Sequence, residues 1–176
     1  RSPFIKSRIY RKLMLDEKMS YICRKIFPSG YQLHLTRAVT SSRTSQAFSK
    51  QMHRDIPYIH TPTKYPLSIS FLTFLSSYEN NQLRIWPGSH ANEFYEWKGN
   101  KGIDMRFKRG DTLVFDSNLI HRTLDTTTRV DYVLHMFSSP IIKPVVDYSS
   151  DSTLKEISSE TYLRNEILEI IGLKYK

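Results

Sequence analysis

Between Tyr31 and Ser139 the chain is a succession of short stretches in which apolar and polar residues alternate, or branched and aromatic residues cluster, each closed by a turn signal. YQLHLTRAV (31–39) alternates. YPLSISFLTFLSS (65–77) places Leu67, Ile69, Phe71, Thr73 and Leu75 on one face and reads as a strand covered on both sides. ENNQLRIWPGSH (79–90) joins an Asn-rich turn, a short strand and a Pro-Gly turn. KGIDMRFKRGDTLVFDSNLIH (101–121) holds two strands about a Gly110-Asp111 turn, and RVDYVLHMFSS (129–139) alternates again. Short strands at regular spacing suit a sandwich or barrel of the jelly-roll kind and disfavour a βαβ fold.

Helical spacing occurs on either side of this region. RKLMLDEKMSYICRKIF predicts a helix over about 11–27, with Leu15, Met19, Ile22, Cys23 and Ile26 on one stripe and Pro28-Ser29-Gly30 ending it. A second stripe of Leu163, Ile167, Leu168 and Ile171 predicts a helix over about 159–171, stopped at Gly172. The expected fold is therefore mainly β, a jelly-roll, cupin-like barrel over about 30–140 with flanking N- and C-terminal helices. Residues 1–176 are read as a single domain, since 176 residues suffice for one core and are short for two.

A 39% hydrophobic content separates the chain from disordered sequences, and no apolar run approaches the roughly 18 residues that span a bilayer. The single cysteine, Cys23, leaves no disulfide framework or thiolate metal cluster and is expected in the core. The first residue is Arg1 rather than Met, which suggests a processed form or a piece of a longer chain. Its opening residues lack the layout of a secretory leader, so a cytoplasmic location is expected. Charge is uneven. Residues 1–60 hold 12 Lys and Arg against 3 Asp and Glu, whereas residues 61–176 hold 14 of each, so the net +9 lies entirely in the first third. Such a field suits acidic partners, whether small metabolites or nucleic acid; a merely solubilising surface is the plainer explanation. A glycine-rich phosphate loop is absent, which argues against kinases and dinucleotide enzymes.

Within QMHRDIPYIH (51–60), His53 and Asp55 form a His-x-Asp pair, weak by itself as a metal signal. A third ligand must come from elsewhere in the fold, and His121, at the end of a predicted strand, is the candidate. Two imidazoles and a carboxylate on one face, with open positions, form the pattern of non-haem Fe(II) oxygenases. His34 and His135 sit within alternating strands and suit core or surface. His60 lies in a Pro-flanked loop, and His90 ends a turn where a structural or rim role fits. If the electron donor is 2-oxoglutarate, its far carboxylate needs a cation. Arg129, eight residues after His121, offers a two-pronged donor, and Thr123 a hydroxyl beside it. Gln51, two residues before His53, would share its face in an extended stretch and could reach the same site. Arg54, between the paired ligands, would point the other way, to a substrate or to the surface.

Taken together and in order, Gln51-Met52-His53-Arg54-Asp55, the stretch from Glu79 to Pro87-Gly88-Ser89-His90, Gly110-Asp111-Thr112-Leu113-Val114-Phe115, and His121 followed by Arg129 resemble the phytanoyl-CoA dioxygenase family of Fe(II)/2-oxoglutarate-dependent oxygenases. The resemblance covers roughly residues 30–140. It implies a double-stranded β-helix core, a metal site of His53, Asp55 and His121, and 2-oxoglutarate held by Arg129 and Thr123. It further implies Fe(II), 2-oxoglutarate and O2 as cofactors, and hydroxylation as the reaction, because related halogenases carry a small residue in place of Asp55. The chain departs from the family at Arg122, where Gly usually follows the distal histidine, and in a shorter interval to Arg129.

The expected substrate is a small, acidic or phosphorylated metabolite, with Arg37, Arg43, Lys50 and Arg54 as candidate contacts. Three other readings use the same residues. A nucleic-acid or protein hydroxylase would exploit the basic first third and would bind in a salt-dependent way. A non-catalytic jelly-roll binding module would bind no iron. A cupin-like metal enzyme would work without 2-oxoglutarate.

Overall fold

The computed structural model describes residues 8–14, 16–41, 51–56, 66–75, 81–91, 101–124 and 130–143. Helices α1 (Arg8–Met14) and α2 (Glu17–Ile26) precede strands β1 (Gln32–Ser41), β2 (Ser68–Phe74), β3 (Asn81–Ile85), β4 (Ile103–Phe107), β5 (Thr112–Asp116), β6 (His121–Thr123) and β7 (Val130–Ser138). One sheet has the order β1-β7-β2-β5 and the other β4-β3-β6. From β2 onward, only the β3–β4 connection stays within a sheet; every other step passes from one sheet to the other. This alternation is the double-stranded β-helix, or jelly roll, that the short regular strands lead one to expect. No helix among the described residues is long and apolar enough to cross a membrane.

The chain divides into two compact units, Arg1–Arg37 with His135–Lys176, and Ala38–Leu134; the divisions fall within β1 and within β7. In the first unit, the single helix expected over 11–27 is two. The break lies at Asp16, whose carboxylate accepts the Lys18 N–H at 2.9 Å and the Met19 N–H at 3.3 Å and so caps α2. Asp is among the strongest N-cap residues, and this local preference overrides the continuous apolar stripe. Glu17 in the first turn and Arg24 and Lys25 in the last turn complement the helix dipole. Met19 and Cys23 form the buried face of α2, and burial pushes the Cys23 thiol up to about 12, which makes it a core group with no thiolate reactivity. His34 and His135 are also fully buried in this unit, and the Thr36 hydroxyl lies 2.9 Å from His135 Nδ1. The helix expected over 159–171 lies outside the described residues.

In the second unit, β2 pairs antiparallel with β5, from Ile69 opposite Asp116 to Thr73 opposite Thr112. Every residue of β2 is buried. An interior strand with neighbours on both edges and cover on both faces reads as a continuous apolar run, as this one does. Strand β3 pairs antiparallel with β4 on one edge and with β6 on the other, placing Ile85 opposite His121 and Leu83 opposite Thr123. The turn between β4 and β5 uses Gly110 at φ +89°, with the Asp111 carboxylate accepting the Lys108 N–H at 2.7 Å. A positive φ there suits glycine, and the turn carries the chain from one sheet to the other.

Candidate metal centre

His121 does not end the strand on which it was expected. Strand β5 stops at Asp116, whose carbonyl accepts the Leu119 N–H and whose carboxylate accepts the Asn118 N–H, both at 2.8 Å. These bonds turn the chain, and His121 opens the new strand β6 in the other sheet. There it meets His53 in an isolated antiparallel bridge, with His53 N–H donating to the His121 carbonyl and His121 N–H to the His53 carbonyl, each at 3.0 Å. Two ligand candidates 68 positions apart in the chain are thus locked by backbone pairing, and their rings lie 4.3 Å apart between centroids.

Each imidazole is oriented in the same way. His53 Nδ1 lies 2.7 Å from the Gln51 carbonyl and His121 Nδ1 lies 3.0 Å from the Leu119 carbonyl. A carbonyl only accepts, so Nδ1 carries the proton in both rings, and in the neutral form of each ring Nε2 is the atom left to bind a metal. Both Nε2 atoms stand 3.8 Å from Asp55 Oδ1. One donor-capable atom from each of His53, Asp55 and His121 lies within 4.8 Å of the others, the one such cluster among the described residues. Phe115 packs edge-on against the His121 ring at 4.9 Å. Two neutral nitrogens and one carboxylate oxygen on a common face suit Fe(II), and backbone carbonyls behind the rings are the customary partners of metal-bound histidine.

The three residues line a cleft with Leu72, Leu83, Thr123, Tyr132 and Leu134, enclosing about 290 Å³ when the solvent at its mouth is counted. Thr123 is therefore placed beside the cluster. Gln51 contributes differently from expectation: its side chain is exposed, and the carbonyl is the part that touches the site. Arg129, Arg43, Lys50 and His60 lie outside the described residues. His90 is exposed in a one-turn 3-10 helix, and His34 and His135 are core residues of the first unit.

Arg54 is neither a surface residue nor a contact at the mouth. It is 3% exposed, and its Nη2 donates to the Ser89 carbonyl at 3.0 Å. Burial lowers its pKa, opposed by the negative charge of Asp116. Ser89, fully buried, also accepts the Ile120 N–H on its Oγ at 2.8 Å, and Trp86 N–H donates to the Ile120 carbonyl at 3.0 Å. The Pro-Gly-Ser turn thus grips the residue before His121 and the residue between His53 and Asp55. Ser89 carries no signal of its own in composition or spacing, although it stands within the Pro87-Gly88-Ser89-His90 stretch. Arg54→Ala is expected to cost about 2–3 kcal/mol of stability, from a lost charged hydrogen bond and the packing of its stem. Chemical denaturation checks this; a change within about 0.5 kcal/mol, as for ordinary surface substitutions, would return Arg54 to the surface.

The family model for phytanoyl-CoA dioxygenase (PhyH) matches residues 2–130. The chain belongs to the phytanoyl-CoA dioxygenase family. It is by class an Fe(II)- and 2-oxoglutarate-dependent dioxygenase, an oxidoreductase whose cofactors are iron, 2-oxoglutarate and O2. No curated protein matches the chain. Among solved structures, HygX from Streptomyces hygroscopicus with nickel and 2-oxoglutarate bound is similar at a TM-score of 0.56 and 15% identity, over 79% of this chain and 70% of that one. EctD from S. alaskensis with bound Fe gives 0.61 and 18%, over 76% and 54%. The non-haem alpha-ketoglutarate-dependent epimerase SnoN gives 0.58 and 12%, over 78% and 59%. At these identities the likeness is one of fold, and it agrees with the jelly roll described for this phytanoyl-CoA dioxygenase family member.

Proposed function

We propose that His53, Asp55 and His121 hold one Fe(II), that Arg129 and Thr123 hold 2-oxoglutarate, and that the enzyme hydroxylates a small acidic metabolite with release of succinate and CO2. The observation that carries this reading is the aim of three donors at one point: two Nε2 lone pairs and Asp55 Oδ1, each histidine fixed from behind by a carbonyl. When bound, iron with 2-oxoglutarate supplies O2 activation and removal of hydrogen from a C–H bond, work no protein side chain performs unaided.

The chain's own residues orient and shield. The His53–His121 backbone bridge keeps both imidazoles on one side of the cleft. Leu72, Leu83 and Leu134 give it apolar walls that limit water and hence side reactions. Thr123 supplies a hydroxyl at the cleft for the cosubstrate carboxylate, with Arg129 as its cation. Asp55, a full carboxylate rather than a small residue, favours hydroxylation over halogenation. The structure of HygX with hygromycin B bound supports a small-molecule substrate, and the net +9 concentrated in residues 1–60 supports an acidic one. Arg54, buried against the Ser89 carbonyl, is not among the substrate contacts.

Anaerobic addition of Fe(II) and 2-oxoglutarate is expected to produce a visible charge-transfer band in the wild type that His53→Ala loses. Iron binding without a band would indicate a metal enzyme that does not use this cosubstrate. No iron binding would leave a jelly-roll binding module.

A further inference from the structure

Behind Asp55 stand three serines that sequence reading passed over. Ser70 Oγ donates to Asp55 Oδ2 at 2.7 Å, Ser70 Oγ and Ser117 Oγ are 2.9 Å apart, and Ser117 Oγ and Ser68 Oγ are also 2.9 Å apart. All three side chains are buried, and all lie in the unit that carries the cluster. Ser68 and Ser70 share one face of β2, the face that also sends Leu72 into the cleft.

The proton inventory sets a direction. An ionised carboxylate only accepts, so Ser70 spends its single hydroxyl proton on Asp55. Ser70 must then accept from Ser117, and Ser117 in turn from Ser68. The chain runs one way, from Ser68 through Ser117 and Ser70 to Asp55, and each hydroxyl polarises the next. Its middle member is itself fixed by the backbone: the Asp55 N–H donates to the Ser117 carbonyl at 3.0 Å, and the Ser117 N–H to the Ser68 carbonyl at 3.1 Å. The two oxygens of Asp55 are therefore not equivalent. Oδ1 faces both histidine nitrogens, and Oδ2 faces the serines.

We propose that Ser70, backed by Ser117 and Ser68, is a positioning residue that ties up Asp55 Oδ2 so that Oδ1 alone is offered to the metal, keeping the remaining positions on the ion free for exchangeable ligands. This rests on the metal-centre reading above. A carboxylate released from the relay can rotate and offer both oxygens, which changes the coordination number of the ion. A serine pair on a buried strand that merely filled space would have no such consequence.

Co(II), whose visible absorption reports coordination number, is the probe. Wild type, Ser70→Ala, Ser70→Thr and Ser117→Ala are titrated anaerobically as full chains, with unfolding curves of the metal-free proteins recorded beside them. Ser70→Ala is expected to bind about 10–100-fold more weakly, the usual cost of losing a partner that orients a ligand, and to show an altered Co(II) spectrum. Ser70→Thr, which keeps the hydroxyl, restores the wild-type spectrum, and Ser117→Ala gives a smaller shift in the same direction. Wild-type affinity and spectrum in Ser70→Ala would overturn the proposal while leaving the metal centre standing. Failure of wild type to bind Co(II) would remove the metal centre and this proposal with it. Should Ser70→Ala not fold, an unchanged spectrum in Ser117→Ala, which retains the Ser70 hydroxyl, overturns the relay.

Discussion

Asp55→Asn is expected to abolish dioxygenase turnover and to weaken Fe(II) binding by well over the ~10–100-fold that loss of an outer partner costs. The substitution keeps shape and volume, and the amide oxygen can still accept the Ser70 hydroxyl, so the fold should survive. The negative charge is what disappears. Two neutral imidazoles alone would then face a divalent ion inside a cleft whose other walls include Leu72, Leu83 and Leu134, where water can do little to compensate. Succinate formation and anaerobic Fe(II) titration measure the two effects, with thermal unfolding as the control for folding. A variant that binds Fe(II) as tightly as wild type would place the ion elsewhere, and the cluster of His53, Asp55 and His121 would become a polar core feature.

The second large effect is loss of stability in mild acid. Burial pushes both His34 and His135 down to about 4, against about 6.5 for an unfolded chain. Between those values the unfolded state takes up protons that the folded state refuses. The stability due to two neutral histidines is therefore complete above pH 6.5, is lost as pH falls through the window, and changes no further below about 4. Each group contributes a slope of up to about 1.4 kcal/mol per pH unit, so the pair removes on the order of 2–4 kcal/mol between pH 7 and pH 5. Many domains are stable by only about 5–15 kcal/mol, which makes such a loss easy to see. Urea unfolding at pH 7.5 and at pH 5 tests it, with His135→Gln expected to remove about half of the difference. Equal unfolding midpoints at the two pH values would mean that the imidazoles are not held neutral by the core.

These two expectations draw on different levels of the molecule. The jelly roll was legible because period-two patterning and turn residues are local properties, and β2 shows why even its full burial could be read: a strand covered on both faces has almost no polar positions. The three residues that the structure brings together as a candidate metal cluster could be picked out because metal chemistry restricts residue type. Among six histidines, only His53 has an acid at the spacing used, and His121 stands where a strand mouth was expected. The errors were equally physical. A carboxylate at Asp16 outcompeted an unbroken apolar stripe and split the N-terminal helix, and an Asp116 turn moved His121 from the end of one strand to the start of another.

By itself, then, the sequence determined the strand-rich class, the residue types of the candidate metal cluster and the concentration of positive charge in the first third, because each follows from composition or from spacing along the chain. Only the tertiary structure decided that Arg54 is buried against Ser89, that His34 and His135 belong to the core, and that Ser68, Ser117 and Ser70 end on one oxygen of Asp55. Those relations join residues up to about a hundred positions apart, and a serine or an arginine has no intrinsic preference that foretells its partner. The pairing of strands across two sheets brings the groups together, and burial then makes their hydrogen bonds count.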